Sequence, residues 1–102
     1  MPRLARAEIF RRIAEHRAEL EAMGVASLEL FGSAARDEAT DDIDILVTFS
    51  REVGLFAFYG VQEFLEQILE TDRVDLILRR AVLDELKEQI YGEAVPCLFG
   101  SG

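Results

Sequence analysis

Three aspartates stand out because apolar residues surround them. Asp42 and Asp44 open the run Asp42-Ile43-Asp44-Ile45-Leu46-Val47, and Asp75 interrupts Val74-Asp75-Leu76-Ile77-Leu78. Two carboxylates two positions apart on a strand point to one face. Their like charges raise one pKa unless a cation lies between them. Magnesium suits such a place, since it takes hard oxygen ligands and often joins one or two carboxylates to substrate phosphates. A bare Asp-x-Asp also fits a solvated strand edge. Asp75 tips the balance, because an unpaired charge on a covered strand is costly. An exposed place near a strand end, or a partner for Arg73 or Arg79, is the plainer role for it. If the strand of Asp75 lies beside that of Asp42 and Asp44, the three carboxylates outline a two-metal site.

Gly32 and Ser33 supply a second half. A glycine ending a strand lets the backbone approach a ligand. The Ser33 hydroxyl and amide, and the amides of a following helical turn, suit a phosphate. Arg36 can reach the same anion. Taken singly, Gly-Ser is an ordinary tight turn; ahead of Asp-x-Asp and a third aspartate it is far more specific.

Positioning these groups requires strands and helices in a particular order. Ile9, Ile13, His16, Leu20 and Met23 recur at spacings of three and four, so a helix is predicted from Leu4 to Met23, closed by Gly24. Leu28 to Phe31 reads as a short strand, and residues 34 to 41 as a loop. Asp42 to Phe49 alternates, with Ile43, Ile45, Val47 and Phe49 on one side. After a turn at Ser50 to Gly54, a helix from Leu55 to Glu70 presents Val61, Phe64, Leu65, Ile68 and Leu69. Arg73 to Leu78 forms a third strand. A last helix, Leu83 to Ala94, is stopped by Pro96. The expected class is α/β (α+β): a small mixed sheet of three strands packed with helices. The first two strands pair antiparallel across a short gap, and the intervening helix allows a parallel crossover to the third.

Composition narrows the partners. The chain has 102 residues, enough for one domain over 1–102. Twenty acids against eleven bases leave a net charge of −9, which argues against direct nucleic-acid binding. The first turns are locally basic, with Arg3, Arg6, Arg11, Arg12 and Arg17, either a solvated helix face or a surface for an acidic partner or for phosphates. The uncharged run Val53 to Gln62 is too short to span a membrane, no signal peptide is expected, and the single cysteine, Cys97, makes the cytoplasm the default compartment. His16 and Cys97 read as packing or inert residues. Phe56 and Phe58 read as core and Tyr59 as core or rim, with a border to an adenine or a partner helix as the other option for the group. Apolar residues around Leu55 to Tyr59 and Leu98-Phe99 would also suit a homo-oligomer.

The segments Phe31-Gly32-Ser33-Ala34-Ala35-Arg36, Asp42-Ile43-Asp44-Ile45-Leu46-Val47 and Val74-Asp75-Leu76 closely resemble the minimal nucleotidyltransferases of the DNA polymerase β superfamily. The resemblance covers almost the whole chain. It implies that Gly32 and Ser33, with Arg36, hold the phosphates of ATP. It implies that Asp42 and Asp44 bind two magnesium ions, and that Asp75 completes the metal site and helps activate the attacking hydroxyl. Many members are antitoxins that adenylylate a tyrosine of a HEPN-type ribonuclease toxin. This chain departs from the pattern in its loop: eight residues, 34 to 41, separate Ser33 from Asp42, where the family has about ten, and Asp37 and Asp41 replace the usual glycine and serine. The expected function is therefore magnesium-dependent transfer of AMP from ATP to a partner toxin. A binding antitoxin with weak or no catalysis, and a nucleotidyltransferase acting on a small molecule, are the alternatives.

Overall fold

The computed structural model describes residues 5–32, 35–36, 42–81 and 84–99. Helix α1, Arg6–Glu15, buries Ile9 and Ile13. Helix α2, Arg17–Ala22, continues the same stripe and buries Leu20. The predicted single helix is broken at His16. In an unbroken helix the His16 amide would bond the Arg12 carbonyl; here the ring Nδ1 donates to that carbonyl at 2.8 Å. The amide falls back on Ile13, at 3.1 Å. A side chain that competes for a helix carbonyl in this way interrupts the ladder.

Strand β1, Val25–Phe31, is longer than the predicted Leu28 to Phe31. It runs antiparallel to β2, Ile43–Phe49, with Phe31 opposite Asp44. Helix α3, Leu55–Leu69, crosses over to β3, Val74–Leu78, which lies parallel to β2. Both pairings agree with the expected mixed sheet. A 3-10 turn at Arg79–Ala81 leads to α4, Asp84–Glu93, and then to β4, Val95–Phe99. The last helix ends before Pro96 as expected, and β4 adds a fourth strand to the three that were predicted. The strand order is β3-β2-β1-β4, so Pro96 sits in an edge strand, where a missing amide donor is tolerated.

One face of the sheet makes the core. Leu28, Leu30, Ile45, Val47 and Leu76 pack against Ile9, Ile13, Leu20, Val61, Leu65 and Leu69. The period-two reading of β2 and the helical reading of α3 are both realised here. Two arginines of α1 tie the helical layer together. Arg12 donates to the Ile68 carbonyl at 3.2 Å and to Glu70 at 3.0 Å, placing a cation at the C-terminal end of α3. Arg11 and Arg12 both bond Glu8, and Arg11 also bonds Glu15. Arg11 and Arg12 of the basic N-terminal stretch are thus committed to contacts within the fold, and Arg3 lies outside the described residues.

Phe58 packs partly against the core, but Phe56 is 98% exposed and Tyr59 57% exposed. That corrects the core reading of Phe56 and puts Tyr59 at the rim. Beside them a cavity of about 770 Å³ opens among Val53, Leu55, Phe58, Leu78 and Ala81. No helix among the described residues is long and apolar enough to cross a membrane.

Candidate functional site

The second face of the sheet carries the carboxylates. In the parallel pairing of β2 and β3, Asp44 stands directly opposite Asp75. Residues paired in register share a face, so the two side chains converge although 31 positions separate them, 75 minus 44. The Asp44 carboxyl is within hydrogen-bonding reach of Asp75. Burial, then the hydrogen bond and charge of Asp75, and finally the charge of Asp42, push the Asp44 pKa up from 3.8 to about 6. Asp44 is half-buried, while Asp75 is exposed, as in its plainer reading, and not covered like its apolar neighbours.

Gly32 closes the opposite wall. It has a positive φ of 70° at the end of β1. A Cβ at this position would stand 2.8 Å from Asp44 Oδ2, closer than van der Waals contact allows. Glycine is needed here twice over, for its backbone conformation and for the space above the carboxylate. The chain then turns, and the Arg36 amide donates to the Gly32 carbonyl at 3.3 Å. Arg36 itself is exposed, and Ala35 is 3% exposed within the core. Ser33 lies outside the described residues, as do Asp37 and Asp41 of the shortened loop.

Asp42, at the mouth of β2, accepts a hydrogen bond from Arg73 Nη1 at 3.2 Å, with both side chains well exposed. Arg79 Nε donates to Glu29 Oε1 at 2.7 Å across the same face. The two arginines considered as partners for Asp75 thus engage Asp42 and Glu29. Glu29 pairs in register with Leu46, in the row behind Phe31 and Asp44. Leu46 is 1% exposed, so the face is covered at that row and opens at the carboxylates.

Among the described residues, no group of three His, Cys, Asp or Glu side chains is arranged to hold a metal ion. The predicted trio is present as a close pair, Asp44 and Asp75, with Asp42 at the rim on Arg73. The pair still fits a divalent cation. Asp44 and Asp75 face each other across β2 and β3, and two hard oxygen donors so placed repel until a cation lies between them. The absence of a side chain at Gly32 keeps Oδ2 from being covered on that side.

One positioning contact was not anticipated. Arg6 Nη1 of α1 donates to the Ala35 carbonyl at 2.7 Å, 29 residues away. The available signal was position: Arg6 lies on the stripe of Ile9 and Ile13, three and seven residues ahead of them, where a cation is out of place.

Residues 10–97 match the family model for the nucleotidyltransferase domain. Over 98 residues the chain is 35% identical to protein adenylyltransferase MntA of Thermococcus cleftensis, an alignment covering 93% of this chain and 98% of that protein. A solved structure assigned as a minimal nucleotidyltransferase superposes with a TM-score of 0.78 at 29% identity, covering 91% of this chain and 96% of the other. A crystal structure of a toxin–antitoxin with AMP-PNP shares the fold at a TM-score of 0.67 and 22% identity, over 90% of this chain and 74% of the other. With the family match spanning both strands that carry the carboxylate pair, the chain belongs to the nucleotidyltransferase domain family and is a nucleotidyltransferase.

Proposed function

We propose that this nucleotidyltransferase is a protein adenylyltransferase, moving AMP from ATP to a tyrosine hydroxyl of a HEPN-type toxin in the cytoplasm and so acting as an antitoxin. The observation that carries the reading is the Asp44–Asp75 pair beneath Gly32. Protein as the acceptor draws support from the relative named as a protein adenylyltransferase. The exposed Leu55, Phe56 and Tyr59 also favour a macromolecular acceptor over a small one, since exposed apolar groups of this size mark interaction surfaces.

In this reading the attacking hydroxyl oxygen bonds the α-phosphorus, the bond from that phosphorus to the bridging oxygen breaks, and pyrophosphate leaves. Asp75 stands at the open end of the pair and takes the hydroxyl proton. Asp44 and Asp75, joined by Asp42 once it leaves Arg73, would hold magnesium, which when bound supplies charge stabilisation and orientation to the triphosphate. Gly32 and Ser33 seat the phosphates against backbone amides, and Arg36 adds a cation at the rim.

The test is incubation with α-labelled ATP, magnesium and a HEPN-type partner, beside an Asp44→Asn/Asp75→Asn double variant. Label on the partner from the wild type alone is the expected result. Replacing the acceptor tyrosine of the partner by phenylalanine should remove it. The engagement of Asp42 by Arg73 favours a second reading, a binding antitoxin with weak catalysis. A stable complex without label would select it.

A further inference from the structure

We propose that Arg6 is a positioning residue for the nucleotide's phosphates: through the Ala35 carbonyl it fixes the turn that Gly32 opens and Arg36 closes above Asp44. The inference rests on the nucleotidyltransferase reading of that turn and adds a residue outside every segment that carried the family resemblance.

The turn is held at three points. The Arg36 amide bonds the Gly32 carbonyl at 3.3 Å. The Ala35 methyl belongs to the core cluster. The Ala35 carbonyl lies past that backbone bond, and Arg6 Nη1 meets it at 2.7 Å. A guanidinium donor makes a stronger bond to a carbonyl than a neutral group does. Arg6 is itself fixed, because it heads α1, whose Ile9 and Ile13 are anchored in the core.

The consequence reaches the carboxylates through Gly32. The room above Asp44 Oδ2 is so tight that a single added carbon at Gly32 would stand 2.8 Å away. A turn free to shift by a fraction of an ångström would therefore change both the phosphate seat and the space over Asp44. Among the arginines of α1, Arg12 makes a useful contrast. It anchors the same helix by way of the Ile68 carbonyl and Glu70 at the far end of α3.

The experiment compares Arg6→Met, Arg6→Lys and Arg12→Met in the full chain. Binding of a non-hydrolysable ATP analogue with magnesium should weaken by about tenfold or more in Arg6→Met, in keeping with loss of one charged hydrogen bond. Arg6→Lys should recover much of that loss, and Arg12→Met should bind as wild type. In turnover the loss should appear in KM for ATP, with kcat at saturating ATP changed by less than about threefold. In nucleotide-free protein the heteronuclear NOE of the Ala35 and Arg36 amides should fall in Arg6→Met alone. Wild-type binding by Arg6→Met, or an equal loss in Arg12→Met, would overturn the proposal and leave the proposed function standing. If the wild type itself binds no analogue, the proposed function fails. The positioning claim rests on that reading and falls with it, whereas a turn that stays rigid in Arg6→Met overturns the claim alone.

Discussion

Asp44 enters folding with a carboxyl near 3.8 and ends near 6, because the fold half-buries it and sets Asp75 and Asp42 beside it. The native state therefore binds the proton more tightly than the unfolded chain between those values. Stability from this group is present at low pH and is lost as pH rises from about 4 to about 6. The full shift would correspond to about 3 kcal/mol, and solvent access to the pair reduces that to about 1 kcal/mol. Asp44→Asn removes the repulsion. It should stabilise the metal-free protein at pH 7 by about 1 kcal/mol, raising the thermal midpoint by about 4–8 °C, and flatten stability between pH 4 and 6. The same variant should lose AMP transfer, so stability and activity move in opposite directions. Glu8 has the reverse sign. Hydrogen bonds from Arg11, and then from Arg12, hold its carboxyl down to about 2, so its contribution is present at neutral pH and fades as pH falls from about 4.5 towards 2. Gly32→Ala combines a positive φ with a methyl against Asp44. It should cost about 1–2 kcal/mol in denaturant unfolding and lower the labelling rate as well.

At the scale of elements, α3 shows how one helix separates packing from surface. Leu65 is 0% exposed in the middle of the core, while Phe56, nine positions earlier, projects into solvent. Leu65→Ala should cost about 2–5 kcal/mol by chemical denaturation, and Phe56→Ser should stay within about 0.5 kcal/mol of wild type. Apolar spacing made this helix readable, along with the alternation of Ile43, Ile45 and Val47 in β2. The connection lengths made both strand pairings readable. The break at His16 was not, because the stripe runs straight through it and only a ring-to-carbonyl bond interrupts the backbone. The start of β1 was hidden by Ala26 and Ser27, which lack an apolar signal and lie at an irregularity in its pairing. β4 was hidden by Pro96, a residue that excludes a central strand but not an edge. The Asp44–Asp75 pair was legible because a charge in an apolar strand is conspicuous. Arg6 on Ala35 was not: its place on the apolar stripe marks it as unusual, but a hydrogen bond across 29 residues leaves no sign of its partner.

For the whole molecule, the net charge of −9 sets the background against which cation binding must be recognised. Any added salt screens the excess of acids and should raise stability somewhat, over a screening length of about 8 Å at physiological ionic strength. A specific ion does more, because it binds the folded pair and not the unfolded chain. At a magnesium concentration ten times its dissociation constant, the gain should be about 1.4 kcal/mol. Sodium chloride at matched ionic strength supplies the screening and none of the specific gain. The difference between the two salts should therefore isolate the site. It should be present in wild type, absent in Asp44→Asn and in Asp75→Asn, and removed by chelation. Protons compete for Asp44, so the difference should also be larger at pH 8 than at pH 5.5, on the two sides of its elevated pKa. Differential scanning fluorimetry across these conditions is the check. Equal stabilisation by the two salts in all three proteins would mean that the carboxylate pair holds no ion without nucleotide, and that the cation arrives already bound to the triphosphate.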